Sequence, residues 1–443
     1  MCKKRQKISL IGIGMGSRES MTVEAVEAIG ACDCMIGAKR MIDSARELRY
    51  GTDAERNAEE REEDSEQTAT RVPELCEYNS DRIFAYTEEH PEYAHVAVLL
   101  SGDTGFYSGA KKLSEMFGGY PDRYEVEMIP GISSVICLAA RLKTTWEDGA
   151  VLSLHGQEGN FIQTVNRNGK TFLLLGGKGA GEKMITRLKE YGMDDVTVHI
   201  GSRLSYPDEQ IVSGHPGDFS GDEADGLCAA MILNPHPDKR TGPHIRDEEF
   251  IRGNVPMTKA EVRSVSLAQM ELTENAVVYD IGAGTGSVSV EAARSGDKIR
   301  VYAIEKKPEA AELLKQNQKK FRTDGIHIIK GVAPDALREL EPPTHVFIGG
   351  SSGNLREILC TVLDKNPSAR IVINAISLET VGEVMDAIEE GLLRDAQITQ
   401  IMASRARVLG RYHMMTGQNP VYIIPAGGER QENEDETEGS ADR

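Results

Sequence analysis

The chain has 443 residues, about three domain lengths, with 40% hydrophobic and 27% charged residues, so more than one core is expected. Lysine plus arginine number 51 against 70 acids, a net charge of −19, and no stretch has the positive balance of a nucleic-acid surface. No apolar run approaches the roughly 20 residues that cross a bilayer.

Much of the negative charge is local. Segment 53–66 carries eight acids and two bases, and segment 427–443 carries seven acids and two bases. The first reads as a solvent-facing helix or loop and the second as an acidic disordered tail. The opening residues run into a strand-like segment without a signal-peptide core. The seven cysteines are scattered, which predicts reduced thiols in a cytoplasm. Cys32-x-Cys34 has no second ligand pair and reads as part of a buried strand, so no metal site is expected.

In chain order, apolar runs predict strands near 8–13, 96–100, 125–129, 150–154, 171–175 and 196–200. Helical patterns lie at 22–29, 107–116 and 182–191. This alternation predicts α/β domains with largely parallel sheets. The polar, proline-rich stretch Asn234 to His244 is the best boundary. We therefore read domains at 1–238 and 239–426, followed by the tail 427–443. After the boundary, Thr258-Lys-Ala-Glu261 predicts a capping box opening a helix to about Met270. Strands follow at 276–281, 299–304, 326–329, 346–348 and 370–374.

The strongest motif is Asp280-Ile-Gly282-Ala283-Gly284-Thr285-Gly286, where a strand turns into a helix. Glycines there let backbone pass close beneath a ligand. Glu305 follows 19 residues after Gly286, at the end of the next strand, placed to accept hydrogen bonds from ribose hydroxyls. The leading acid and the Asp-x-Gly-x-Gly-x-Gly spacing favour S-adenosylmethionine over a dinucleotide.

Pro256-Met-Thr-Lys-Ala-Glu-Val-Arg263, the Asp280 motif, Ala303-Ile-Glu305, Gly331-Val-Ala-Pro334 and Phe347-Ile-Gly-Gly350 resemble the decarboxylating corrin methyltransferases of cobalamin biosynthesis over residues 242–425. The resemblance implies a Rossmann-like S-adenosylmethionine methyltransferase domain, with Thr258, Asp280, Gly282 to Gly286, Glu305 and Ala333 around the donor. It also implies methylation of corrin carbon 15 with loss of the ring-C acetate carboxylate.

In the first half, Ile8-Ser-Leu-Ile-Gly12-Ile-Gly14-Met-Gly16, Leu99-Leu-Ser-Gly-Asp-Thr-Gly-Phe-Tyr-Ser108, Ile129-Pro-Gly-Ile-Ser-Ser134 and Leu154-His-Gly156 resemble the two-lobed tetrapyrrole methylases over residues 7–235. The nearest members methylate corrin carbon 5. The resemblance implies a second S-adenosylmethionine site at Gly102, Asp103, Thr104, Ser133 and Ser134, with Gly12, Gly14 and Gly16 bordering the macrocycle. Asp103 is equally readable as a turn stabiliser. Met15 and Thr104 stand where the family often has proline.

The implied substrate is precorrin-6Y or its cobalt form, and the resemblance implies a homo-oligomer; charge and hydropathy predict neither a nucleic-acid nor a membrane partner. An acidic protein binding a polycarboxylate needs local bases. Lys259 and Arg263, one helical turn apart, are the candidates beside the donor loop, and Arg405, Arg407 and Arg411 form the other basic group. His155 and His413 are conceivable proton carriers, and neither is singled out. Methylation of RNA or protein, and a scaffold with one donor site, are the competing readings.

Overall fold

The computed structural model describes residues 5–51, 71–154, 160–220 and 228–428. The acidic segment 53–66, His155 and all but the first two residues of the tail lie outside them. Among the described residues no helix is long and apolar enough to cross a membrane. The chain forms two compact units. One holds residues 1–158, 169–186 and 194–235, and the other holds 159–168, 187–193 and 236–443.

In the first unit, strands β1 (Gln6–Gly12), β2 (Cys34–Gly37), β3 (Glu74–Cys76), β4 (His95–Leu100) and β5 (Tyr124–Ile129) make an all-parallel sheet in the order β3-β2-β4-β1-β5. Both faces are covered, which is why these strands read as continuous apolar runs. Val96 and Val98 join Ile8 and Leu10 in the core on one face, while Ala97 and Leu99 join Ile11 and Ile13 on the other.

The unit's second sheet departs from the parallel expectation. Its order is β6 (Ala150–Ser153), β7 (Lys170–Leu175), β10 (Cys228–Leu233), β8 (Thr197–Ser202) and β9 (Gln210–Gly214), and only β6 and β7 are parallel. An apolar run reveals a buried strand but not its direction. Here the last strand, β10, inserts between β7 and β8 and reverses the sheet.

The second unit is a doubly wound sheet of β11 (Val277–Ile281), β12 (Arg300–Glu305), β13 (Ile326–Lys330), β14 (His345–Ile348) and β15 (Arg370–Ala375), completed by β19 (Val421–Ala426) and β16 (Thr399–Ile401). The order is β13-β12-β11-β14-β15-β19-β16; β19 alone is reversed, lying antiparallel between β15 and β16 at that edge of an otherwise parallel sheet. A separate hairpin pairs β17 (Ser404–Leu409) with β18 (Tyr412–Gly417). The helix Phe161–Arg167 also belongs to this unit. Its first turn donates backbone N–H groups from Ile162 and Gln163 to the buried Asp324 carboxylate, each at 3.1 Å, and Gln163 Nε2 donates to Ala293 O at 2.9 Å.

One local expectation fails. The helix after the boundary spans Ala260–Met270 with Lys259 at its N-cap, and no side chain caps it. Thr258 lies one residue too early, and the Glu261 carboxylate is taken by Arg405 Nε and Nη2, both at 2.7 Å. A bidentate guanidinium outcompetes a single backbone N–H for that carboxylate.

Candidate functional site

Both units place glycine-rich loops at the carboxyl ends of their parallel strands, where open α/β sheets hold ligands. In the first unit the loop after β1 and the loop after β4 bind each other directly. Gly14 N donates to Gly102 O at 3.1 Å, and Gly102 N donates to Gly14 O at 2.8 Å. A Cβ on Gly12 would stand 2.7 Å from Gly102 O and 2.8 Å from Gly131 N. Gly12 therefore permits three loops to interlock, and it is buried by that interlock.

Beside these loops is a cavity of about 480 Å³ lined by Gly102, Asp103, Ser133 and Ser134 from the expected set. Thr104 is buried, and neither it nor Gly12, Gly14 or Gly16 is in the lining. Asp103 stabilises a turn from the cavity wall. It lines the cavity, and its Oδ1 accepts from Gly105 N at 2.8 Å while Oδ2 accepts from Gly131 N at 3.1 Å. Ser133 Oγ caps the helix Ser134–Arg141 by accepting from Ile136 N at 3.3 Å. The sequence reading missed the apolar wall of Met15, Phe106, Leu204 and Cys228. Met15 was visible only as a departure from proline, and Cys228 only as one of the scattered cysteines.

The second unit holds two adjoining cavities that share Pro256, Gly282 and Gly349. The first, about 220 Å³, is lined by Gly282, Gly284, Glu305 and Ala333. Gly286 has φ +77°, and a Cβ there would stand 2.7 Å from Leu314 Cγ, so the motif's last glycine seats the loop against the helix Pro308–Lys320. Glu305 is held at both oxygens: Oε2 accepts from Gly284 N at 2.9 Å and Oε1 from Lys307 N at 2.8 Å. Each carboxylate oxygen keeps a further lone pair for a ligand hydroxyl.

The second cavity, about 320 Å³, is lined by Thr258, Lys259, Asp280 and Ala283 together with Ser287 and Asn374. Asp280 is completely buried. Ser289 Oγ donates to its Oδ2, and Oδ1 has no hydrogen-bond partner. Desolvation pushes the carboxyl up to about 6, opposed by the Ser289 hydrogen bonds and assisted by the charge of Glu305. Thr285 and Gly286 are buried behind the loop and line neither cavity.

Comparison with known proteins decides the family. Residues 249–425 match the precorrin methyltransferase domain, and residues 7–219 match the tetrapyrrole (corrin/porphyrin) methylases. A probable cobalt-precorrin-6B C(15)-methyltransferase (decarboxylating) of Pyrobaculum calidifontis is 43% identical over 187 residues, which are 42% of this chain and 95% of that protein. The chain belongs to the precorrin methyltransferases. A protein of the same description from Sulfurisphaera tokodaii is 40% identical over 187 residues, covering 41% of this chain and 96% of its own. The crystal structure of a precorrin-6y C5,15-methyltransferase from Geobacter metallireducens is 35% identical and covers 41% of this chain and 97% of that one, with a TM-score of 0.40. The fold is thus a tetrapyrrole methylase domain and a Rossmann-like methyltransferase domain.

The basic residues expected to face substrate fare differently in this precorrin methyltransferase. Arg263 is fully buried and lines none of the three cavities described above. Its guanidinium donates to Glu291 Oε1 at 2.7 Å, Asp247 Oδ1 at 3.2 Å, Thr258 O at 2.7 Å and Ile245 O at 2.5 Å, and lies over the Phe250 ring. It is a structural cation whose partners, Asp247 and Glu291, come from outside its own helix. Lys259 does line the cavity. Arg405 stands 3.0 Å from Asp247 Oδ2 and grips Glu261, so it extends this buried network. Arg407, Arg411 and His413 are exposed on the β17–β18 hairpin and line none of the three cavities.

Proposed function

We propose that this chain uses S-adenosylmethionine at two sites to methylate carbons 5 and 15 of precorrin-6Y or its cobalt form, with decarboxylation of the ring-C acetate, in the cytoplasmic assembly of the cobalamin ring. The first unit would act at carbon 5 and the second at carbon 15. The observation that carries the reading is the pair of adjoining cavities in the second unit. The smaller has a glycine wall and a carboxylate fixed to accept hydroxyls, and the neighbouring one is large and partly apolar. Likeness to decarboxylating C(15)-methyltransferases supports the assignment of that unit.

The residues present suit the donor. Gly282 and Gly284 leave room for close backbone approach, Glu305 offers free acceptor positions to ribose hydroxyls, and Ala333 bounds the same cavity without bulk. When bound, S-adenosylmethionine supplies an electrophilic methyl group. The shared wall at Gly282 keeps the path between the two cavities short, and alignment of this kind provides much of the acceleration for an in-line displacement. Lys259 would meet a macrocycle carboxylate. Asp280, with a free buried oxygen on the acceptor side, would hold an ammonium or a proton there.

The test is mass spectrometry of the tetrapyrrole after incubation with S-adenosylmethionine and precorrin-6Y, with and without cobalt. Two added methyl groups and one lost carbon dioxide are expected. Calorimetric titration should give two donor sites per chain. A single site would favour the scaffold reading, and no change in either tetrapyrrole would return RNA or protein as the second unit's substrate.

A further inference from the structure

The first unit contains a cation that no carboxylate among the described residues neutralises. Arg40 opens the helix Lys39–Tyr50 directly after β2, at the carboxyl edge of the parallel sheet. It is half-buried, and among the described residues no carboxylate lies within ion-pair distance of it. Its partners are two hydroxyls: Nη1 donates to Tyr206 Oη at 2.6 Å and Nη2 to Ser101 Oγ at 2.9 Å. Arg46, in the same helix, shows the ordinary arrangement, bound to Glu74 and Asp43.

Withdrawing a guanidinium from water without an anion costs free energy that two neutral hydroxyls recover only in part. Arginine has five N–H donors in a planar fork suited to a carboxylate, and among the described residues only two acceptors meet Arg40's. Its location gives the ligand. Ser101 lines the 480 Å³ cavity, so the cation stands one hydrogen bond behind the cavity wall. The Tyr206 hydroxyl is packed where a Cβ of Gly16 would be, 2.6 Å away, which fixes the fork beside the glycine-rich loop.

We propose that Arg40, held by Tyr206 and Ser101, is a carboxylate subsite of the first unit and binds an acidic side chain of the tetrapyrrole. This deepens the reading above and rests on it. A carboxylate in this position has two sources, the tetrapyrrole or the amino-acid end of the methyl donor, and the proposal commits to the tetrapyrrole.

The test uses the full chain and the carbon-5 methylation rate, read by mass spectrometry, across precorrin-6Y concentrations. Arg40→Gln should raise KM for the tetrapyrrole roughly 10- to 100-fold, with the donor Kd unchanged. Arg40→Lys keeps the charge without the fork and should fall between. Tyr206→Phe should raise KM by a smaller factor. A tetrapyrrole KM in Arg40→Gln within about two-fold of wild type overturns the proposal, and so does a loss of donor affinity in place of tetrapyrrole affinity. If Arg40→Gln fails to fold, Arg40→Lys decides: an unchanged KM there overturns the subsite. Failure of the wild-type chain to methylate carbon 5 would instead overturn the functional reading beneath it.

Discussion

Replacing Arg263 with alanine should destabilise the second unit severely and leave tetrapyrrole recognition without a specific defect. The substitution strips a bond from two carboxylates that are 1% and 2% exposed, Glu291 and Asp247, and from the carbonyls of Thr258 and Ile245. Removing one partner of a buried ion pair typically costs about 3–5 kcal/mol. Glu291 keeps the Ile245 N–H at 2.8 Å and Asp247 keeps Arg405 at 3.0 Å, so a loss of about 4 kcal/mol is expected. Burial already raises the Glu291 carboxyl, and Arg263 is the first influence opposing it. Without Arg263 the carboxyl rises further. A carboxyl raised in the folded state stabilises fully below its unfolded value, and that contribution is lost as pH rises through the folded value. The deficit of the variant should therefore be smaller at pH 5 than at pH 8. Urea unfolding followed by far-ultraviolet circular dichroism measures the loss, and fluorescence of Trp146, the single tryptophan, follows the first unit by itself. A double change, Arg263→Met with Glu291→Gln, removes both charges and should recover a large part of the deficit. A loss below about 1 kcal/mol, or normal stability with weakened tetrapyrrole binding, would refute the structural role and restore Arg263 as a substrate ligand.

Glu305→Gln leaves one acceptor oxygen for two backbone N–H donors, Gly284 and Lys307, and should weaken donor binding in the second unit roughly ten-fold. Calorimetry should show one weakened and one unaltered site; equal weakening of both would contradict the assignment. For Asp280, a shift from 3.8 to about 6 by burial is a linkage of about 3 kcal/mol. Its stabilising contribution is present below pH 4 and lost as pH rises through about 6. Asp280→Asn should flatten that part of the second unit's stability profile in denaturant titrations between pH 4 and 8, and an unchanged slope would count against the buried carboxyl. Asp324→Ala deprives Ile162 N, Gln163 N and the Arg187 guanidinium of their acceptor. Limited proteolysis should then cut the segment 159–168 at least ten times faster, and unchanged cutting would mean that the helix docks by apolar packing alone.

What could be read from the sequence was what the backbone decides locally. The runs at β1, β4, β11 and β12 are buried on both faces, so their apolar character announces them. The glycines of the Asp280 motif take positive φ, which the residue type itself advertises. The β17–β18 hairpin was not legible, because its arginines read as a charge cluster and not as residues of paired strands. Charge roles lay beyond reach for a different reason. Spacing put Lys259 and Arg263 on one helical face, but the acids that claim Arg263 lie 16 and 28 residues away, on separate elements. Arg40 is the converse. It looks like any arginine on a polar helix until the fold gives it two hydroxyl partners and, among the described residues, no acid. An arginine's sequence position says that a positive charge exists. Whether that charge is already spent on the protein's own carboxylates or held for a ligand's is settled by long-range packing, and that difference separates Arg263 from Arg40.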